Sequence, residues 1–156
     1  MPEQAAKAAP AAAAARPEDP LRNFQFTLEI GGITAGHFTE VTGLSARVEV
    51  VEYREGGMHN ILRKLPGKVD YTEVTLRYGL TRTRELWSWM QATIEGRVER
   101  KDISVIMLDT TGSSEVLRWN LFDAWPAEWQ GAPLDALGRD VAIETLKLAF
   151  DRLERV

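Results

Sequence analysis

Few residues of this chain have the type and spacing that chemistry needs. The two histidines, His37 and His59, stand at a predicted strand end and in a predicted loop, and beyond Glu40 no carboxylate lies at metal-ligand spacing from them. A metal centre needs three or four converging ligands, so both read as surface or interface residues. Gly31 and Gly36 have the spacing of a phosphate loop, but His37 and Phe38 follow where a Lys and a Ser or Thr would meet the phosphate charge. That segment is a turn. Gly112-Ser113 lacks the pattern of a nucleophile elbow, and no Ser, Thr or Lys comes with the partners that activate a nucleophile. Asp102 and Asp109 are acids of the kind a hydrolase pairs, yet nothing in the sequence brings them together, and solvated positions are the simpler reading. The chain has no cysteine, which excludes disulfides, thiolate metal sites and cysteine nucleophiles. No catalytic, cofactor or metal site is expected, and the chain does not read as an enzyme.

The remaining groups that could recognise a partner are basic or aromatic. Arg63, Lys64 and Lys68 fall in one segment, and Arg82, Arg84, Arg97, Arg100 and Lys101 surround a predicted helix. A nucleic-acid groove would interleave aromatics on the same face, and the net charge is −4, so pairing with neighbouring Glu side chains is the expected role. All five tryptophans lie between residues 87 and 129. Most suit a core, while Trp125 and Trp129, in a stretch interrupted by Pro126, also suit a subunit interface, where aromatics are enriched.

The elements that must position these residues are mostly strands. With 156 residues, 44% hydrophobic and 27% charged, the chain fits one domain with a tail. Residues 1–20 hold nine alanines and four of the seven prolines, a composition that cannot offset the entropy of ordering it, and they read as a flexible extension before a domain over 21–156. Glu3 and the lack of leucine argue against a signal peptide, and no stretch approaches the roughly 20 apolar residues that span a bilayer. Order is expected from Leu21, and strict alternation from Asn23 to Ile30 predicts a strand closed by Gly31-Gly32; a second strand covers about Thr34 to Val41, with a break at Gly43. Thr81 or Thr83 is placed to cap a helix carrying Leu86, Trp87, Met90 and Ile94 on one face, with Gly96 as its stop. Strands follow at Ile103–Met107 and Glu115–Ala124, where Trp125-Pro126 is expected to break the ladder. Residues 141–153 fit either a strand or a helix. Six or seven strands and one helix point to a mainly β fold, an antiparallel sandwich or barrel with one packed α-helix.

One stretch organises the rest. In Val48–Leu80, a β-branched run over Arg47–Tyr53 and a cleanly alternating run over Tyr71–Leu80 flank a segment, Arg54–Asp70, that is long for a loop. Val74, Leu76 and Tyr78 take one face of the second run, and Glu73, Thr75 and Arg77 the other. Gly56, Gly57, Pro66 and Gly67 punctuate the link, which reads as a binding element or a disordered segment, less floppy than its length suggests.

Seven pieces in order carry a family resemblance: Phe38-Thr39-Glu40-Val41-Thr42-Gly43-Leu44, Glu52-Tyr53-Arg54-Glu55-Gly56-Gly57, Lys64-Leu65-Pro66-Gly67, Leu80-Thr81 leading into Leu86-Trp87-Ser88-Trp89, Arg100-Lys101-Asp102-Ile103-Ser104, Ala124-Trp125-Pro126, and Ala142-Ile143-Glu144. Over roughly residues 22–155 the chain resembles the tail-tube proteins of contractile phages and phage-like contractile injection systems. The resemblance implies a β-sandwich-like subunit in hexameric rings that stack into a tube with a β-barrel lumen, and it resolves the last segment toward strand. Implied partners are further copies of the chain, sheath and baseplate proteins, and cargo effectors or DNA in the lumen, with no stable membrane insertion. Assembly in a bacterial cytoplasm and a place in a phage tail or injection particle are implied too. Expected at subunit interfaces are Arg54, Glu55, Gly56, Gly57, Leu65, Pro66, Gly67 and Trp125, and expected to face the lumen are Arg47, Glu49, Glu73, Thr75 and Arg77. A baseplate-proximal tube initiator is the nearest variant, and a monomeric β-barrel that binds a small apolar ligand is the rival from another class. Free sheet edges favour assembly, because ring closure removes them.

Overall fold

The computed structural model describes residues 25–31, 33–35, 38–57, 60–80 and 82–156, and the extension at residues 1–20, His37 and His59 lie outside them. Alternation becomes strand wherever one parity is apolar. β1 (Phe26–Ile30), β2 (Ile33–Ala35), β3 (Phe38–Thr42), β4 (Ala46–Arg54), β5 (Leu62–Tyr71) and β6 (Val74–Gly79) precede helix α1 (Glu85–Ile94), and β7 (Lys101–Leu108), β8 (Glu115–Gln130), β9 (Ile143–Ala149) and β10 (Arg152–Arg155) follow it. The segment expected over Thr34–Val41 is thus divided between β2 and β3. Residues 141–153 contain β9 and the first half of β10, so strand prevails there over helix.

All pairings are antiparallel, in the order β2-β1-β7-β8-β9-β6-β3, with β10 on β8 and with β4-β5 as a separate two-stranded ribbon. The sixteen-residue β8 holds the two halves together: its first part pairs with β7 and β10, and its last part with β9. Asp123 has φ 55° where one part gives way to the other, and its amide donates to Asp102 Oδ1 at 3.1 Å. A strand that changes partners at a bend lets two half-sheets close on one core. That core joins Leu28 of β1, Ile103 of β7, Leu121 of β8, Leu76 of β6 and Leu146 of β9, each almost wholly buried.

The expected break at Trp125-Pro126 does not occur. β8 continues to Gln130 through a buried Pro126, whose register partner is Leu148, and an irregularity between Pro126 and Glu128 absorbs the proline. Helix α1 lies on β8, with the rings of Trp87 and Trp129 4.7 Å apart, and Trp89 is buried and donates from Nε1 to Glu99 O at 2.7 Å. The helix starts after Arg84 with no side-chain cap, so Thr83 does not cap it, and Thr81 lies outside the described residues. Its end is as expected: Gly96 has φ 84°, Gly96 N donates to Thr93 O at 3.1 Å and Arg97 N to Ala92 O at 2.8 Å, a Schellman arrangement. Among the described residues no helix is long and apolar enough to cross a membrane.

Candidate subunit interface

The segment expected to be a long link is mostly strand. Residues 62–71 are β5, which pairs with β4 from Ala46↔Tyr71 to Arg54↔Leu62, so only residues 55–61 connect the two strands. Pro66 was an obstacle to this reading, because proline lacks the N–H that a central strand needs. Among the described residues β5 pairs only with β4, and an edge strand tolerates a proline. β4 pairs with β5, while β6 pairs with β3 and β9, so Arg47–Tyr53 and Val74–Gly79 lie in different strand pairings.

β3 runs into β4 and β5 into β6, so residues 38–54 and 62–79 form one long ribbon kinked at its middle. At the kink Gly43 has φ 90°, and an added Cβ there would lie 2.4 Å from Glu73 O. Thr72 Oγ1 donates to Gly43 O at 2.7 Å and lies 2.6 Å from Ser45 Oγ, tying the two sides together.

Below the kink the β3-β6 half is part of the main sheet, with Val74, Leu76 and Tyr78 buried and Thr75 and Arg77 on the wet side. Arg77 Nη1 donates to Glu40 Oε2 at 2.9 Å, and Thr39 Oγ1 to Arg77 O at 3.1 Å. The Tyr78 hydroxyl, buried beside Glu144 and Trp129 with no hydrogen-bond partner of good geometry, has its pKa pushed far up by burial first and by the Glu144 carboxylate second. Above the kink every β4 residue is exposed, and so is every β5 residue but Gly67 and Tyr71. Val50 is 59% and Tyr53 51% exposed, extents unusual for a run of strand apolar residues unless another surface covers them.

The expected interface residues fall on this projecting part with one exception. Arg54 ends β4, Glu55 bonds with Arg63 across 3.5 Å, and Gly56 and Gly57 make the turn, Gly57 with φ 100°. Leu65, Pro66 and Gly67 lie within β5. Trp125 lies apart from them, half-buried in β8 opposite Ala149. Of the residues expected to face a lumen, Arg47 and Glu49 lie on the side of the ribbon away from Tyr71, which packs on Phe150 of the core at 5.6 Å. Thr75 and Arg77 lie on the side away from the same core, and Glu73 is exposed in the kink, so the polar surface continues along the ribbon. With Lys68 and Asp70, Arg47 and Glu49 line an open recess of about 300 Å³.

The sequence shows Lys68 only as one of a group of basic residues, and neither the exposed valines nor Asp70 stands out in it. A signal for them existed in Val50-Val51, where apolar residues occupy both parities of one strand and alternation fails.

Other acids and bases of interest have structural partners. Asp109 accepts from Thr111 Oγ1 and from the amides of Ser113 and Ser114 in the β7–β8 turn, which holds its carboxyl below the usual range. Asp102 lies near the start of β7 and Asp109 just past its end, about 20 Å apart along an extended strand, and they form no catalytic pair. Arg97 pairs with Glu95 and Arg100 with Asp151, and Lys101 lies 5.2 Å from the Trp89 ring centroid. Among the described residues no three His, Asp or Glu side chains cluster as a metal would require.

A mainly antiparallel subunit that projects a ribbon with free edges and apolar residues on both faces is a structural protein built to assemble. The chain matches the sequence profile of the T4-like virus tail tube protein gp19 family over residues 22–154, and it belongs to that family. Its fold is similar to a chain of the extended sheath-tube complex of PVC, an extracellular contractile injection system, with 28% identity, a TM-score of 0.81, and 89% of this chain and 93% of that one covered. A chain of the anti-feeding prophage cap structure, AFP, is similar at 25% identity and TM-score 0.85, with 96% and 99% covered. Hcp1 from Flavobacterium johnsoniae, at 16% identity and TM-score 0.54 over 85% and 94% of the chains, shares the fold alone. No curated protein sequence matches the chain significantly. Family and neighbours make this a structural inner-tube protein and not an enzyme.

Proposed function

We propose that six copies of the chain close into a ring, that rings stack into a tube, and that cargo effectors or DNA pass through its lumen. The observation that carries this reading is the β4-β5 ribbon, whose outer edges and apolar side chains have no partner within the described chain. Unpaired strand edges are templates for another chain, and contacts around a rotation axis close the ring while contacts between rings stay open and give a filament. Burying the half-exposed valines and Tyr53 contributes roughly 1 kcal/mol or more per side chain.

In this assembly Arg54, Glu55, Gly56, Gly57, Leu65, Pro66 and Gly67 form an arm that reaches the next ring, and Trp125 lies toward a subunit boundary. Arg47, Glu49, Glu73, Thr75 and Arg77 face the lumen, with mixed signs that hold cargo of either charge weakly. A sheath surrounds the tube, as in the PVC sheath-tube complex, and a baseplate closes one end. Residues 21–156 form the tube domain, and residues 1–20 are an extension outside it. Assembly takes place in a bacterial cytoplasm, before the tube becomes part of a phage tail or injection particle.

Negative-stain microscopy of the concentrated protein tests this. Rings or rods are expected. A chain that stays monomeric at high concentration, alone and with its sheath and baseplate partners, would sink the proposal.

A further inference from the structure

The β4-β5 ribbon has a pattern that a single covering surface does not explain. The pairing register fixes which side chains share a face. Ala46, Val48 and Val50 lie with Tyr71, Val69 and Pro66, on the side where Tyr71 meets the core. The other face of this basal half carries Arg47, Glu49, Lys68 and Asp70. Between Val48 and Val50 the register shifts, because β5 fits one extra residue opposite Glu49. β4 itself continues its alternation through this bulge, so the two faces can be followed to the tip.

Beyond the bulge the chemistry of the two faces is exchanged. The face that was apolar now carries Glu52, Arg54 and Lys64, with Leu62 alone apolar, whereas the face that was charged carries Val51, Tyr53 and Leu65 with Arg63. Gly67 lies at the changeover, where an added Cβ would come within 2.9 Å of Val51 Cγ2 and 3.2 Å of Glu49 O. Its lack of a side chain lets Val51 close over β5 at the point where the apolar surface changes sides.

We infer that the ribbon is clamped by two different copies of the chain on opposite faces. The basal apolar face, continuous with the subunit's own core, is covered by a neighbour in the same ring. The distal apolar face is covered by a subunit of the next ring. One rigid surface cannot cover both faces of a ribbon, and a bulge, which bends and twists its strand, aims the halves apart. The occupant is the chain itself because the family forms tubes and both edges of the ribbon are unpaired among the described residues. This inference rests on the stacked-ring reading above and adds which face of the ribbon each neighbour takes.

The chain has no cysteine, so thiol labelling of single-cysteine variants tests it without background. Val48→Cys, Glu49→Cys, Glu52→Cys and Tyr53→Cys all lie at positions exposed in the single chain, and each would be incorporated as a minor component into wild-type full-length particles. Labelling by a small maleimide is compared between particles and free chain. The expected result is protection on the order of tenfold or more at Val48→Cys and Tyr53→Cys, as contact opening becomes limiting, with Glu49→Cys and Glu52→Cys still reactive. Protection along one geometric face (Val48 with Glu52, or Glu49 with Tyr53), or equal protection of all four, overturns the clamp while leaving the tube intact. If the chain forms no particles, the tube reading fails and the clamp falls with it.

Discussion

Gly43 shows how one residue holds the ribbon in place. Its φ of 90° is costly for a side chain, and a Cβ would stand 2.4 Å from Glu73 O, so Gly43→Ala should destabilise the subunit by about 2–4 kcal/mol. Chemical unfolding of the unassembled chain measures this. The break at this glycine was legible in sequence, but its partner Glu73, thirty residues later, was not, because the contact depends on how the ribbon folds. Tyr78→Phe should have the opposite character. Its hydroxyl is buried without a well-formed hydrogen bond, so its removal should leave stability within about 0.5 kcal/mol or raise it. A clear loss in the same unfolding experiment would mean that Glu144 or Trp129 does engage it. Asp109, Glu115 and Glu128 all have folded pKa values lowered, Asp109 by Thr111, Glu115 by Arg118 and Glu128 by Lys147. Their stabilisation is therefore present above the ordinary carboxylate pKa and lost as pH falls through the lower folded values. Glu115 is exposed and Asp109 and Glu128 are only partly buried, so that acid loss should be small.

At the scale of elements, the strands with one wet and one dry face were legible, since alternation is the direct imprint of a half-buried strand. β1, β6, β7 and the Gly96 helix stop all follow from it or from turn chemistry. Two of the differences between sequence and structure have one cause. In the sequence proline signals a strand end at Pro126 and a loop at Pro66, but a bulge accommodates the first and a free edge the second. The β4-β5 ribbon was harder to read because its apolar residues answer to neighbours and not to the subunit's own core. Removing residues 57–64 deletes the turn and the tip of β5, and it should abolish stacking yet leave the core folded, as circular dichroism and sedimentation would register. Full-length tubes from that variant would mean the arm is only a loop.

For the whole molecule, membership of the tail tube family makes contact the chain's work and places that contact in a tube. The interface and lumen assignments could be read only as far as parity allows, because they depend on copies that a single chain does not contain. Along the wet side of the ribbon, Arg47, Lys68 and Arg77 balance Glu49, Asp70 and Glu73. Converting Glu49 and Glu73 to Lys should change how much cargo of a given charge is retained, while tubes still form; loss of assembly instead would mean that these side chains lie at subunit boundaries. The central claim, that the free ribbon exists to be covered by further copies, is tested most directly by native mass spectrometry of the full-length chain across a range of concentrations. The account predicts a species of six chains and whole multiples of it, with few intermediate states. A monomer at every concentration, or a closed dimer that grows no further, would contradict it.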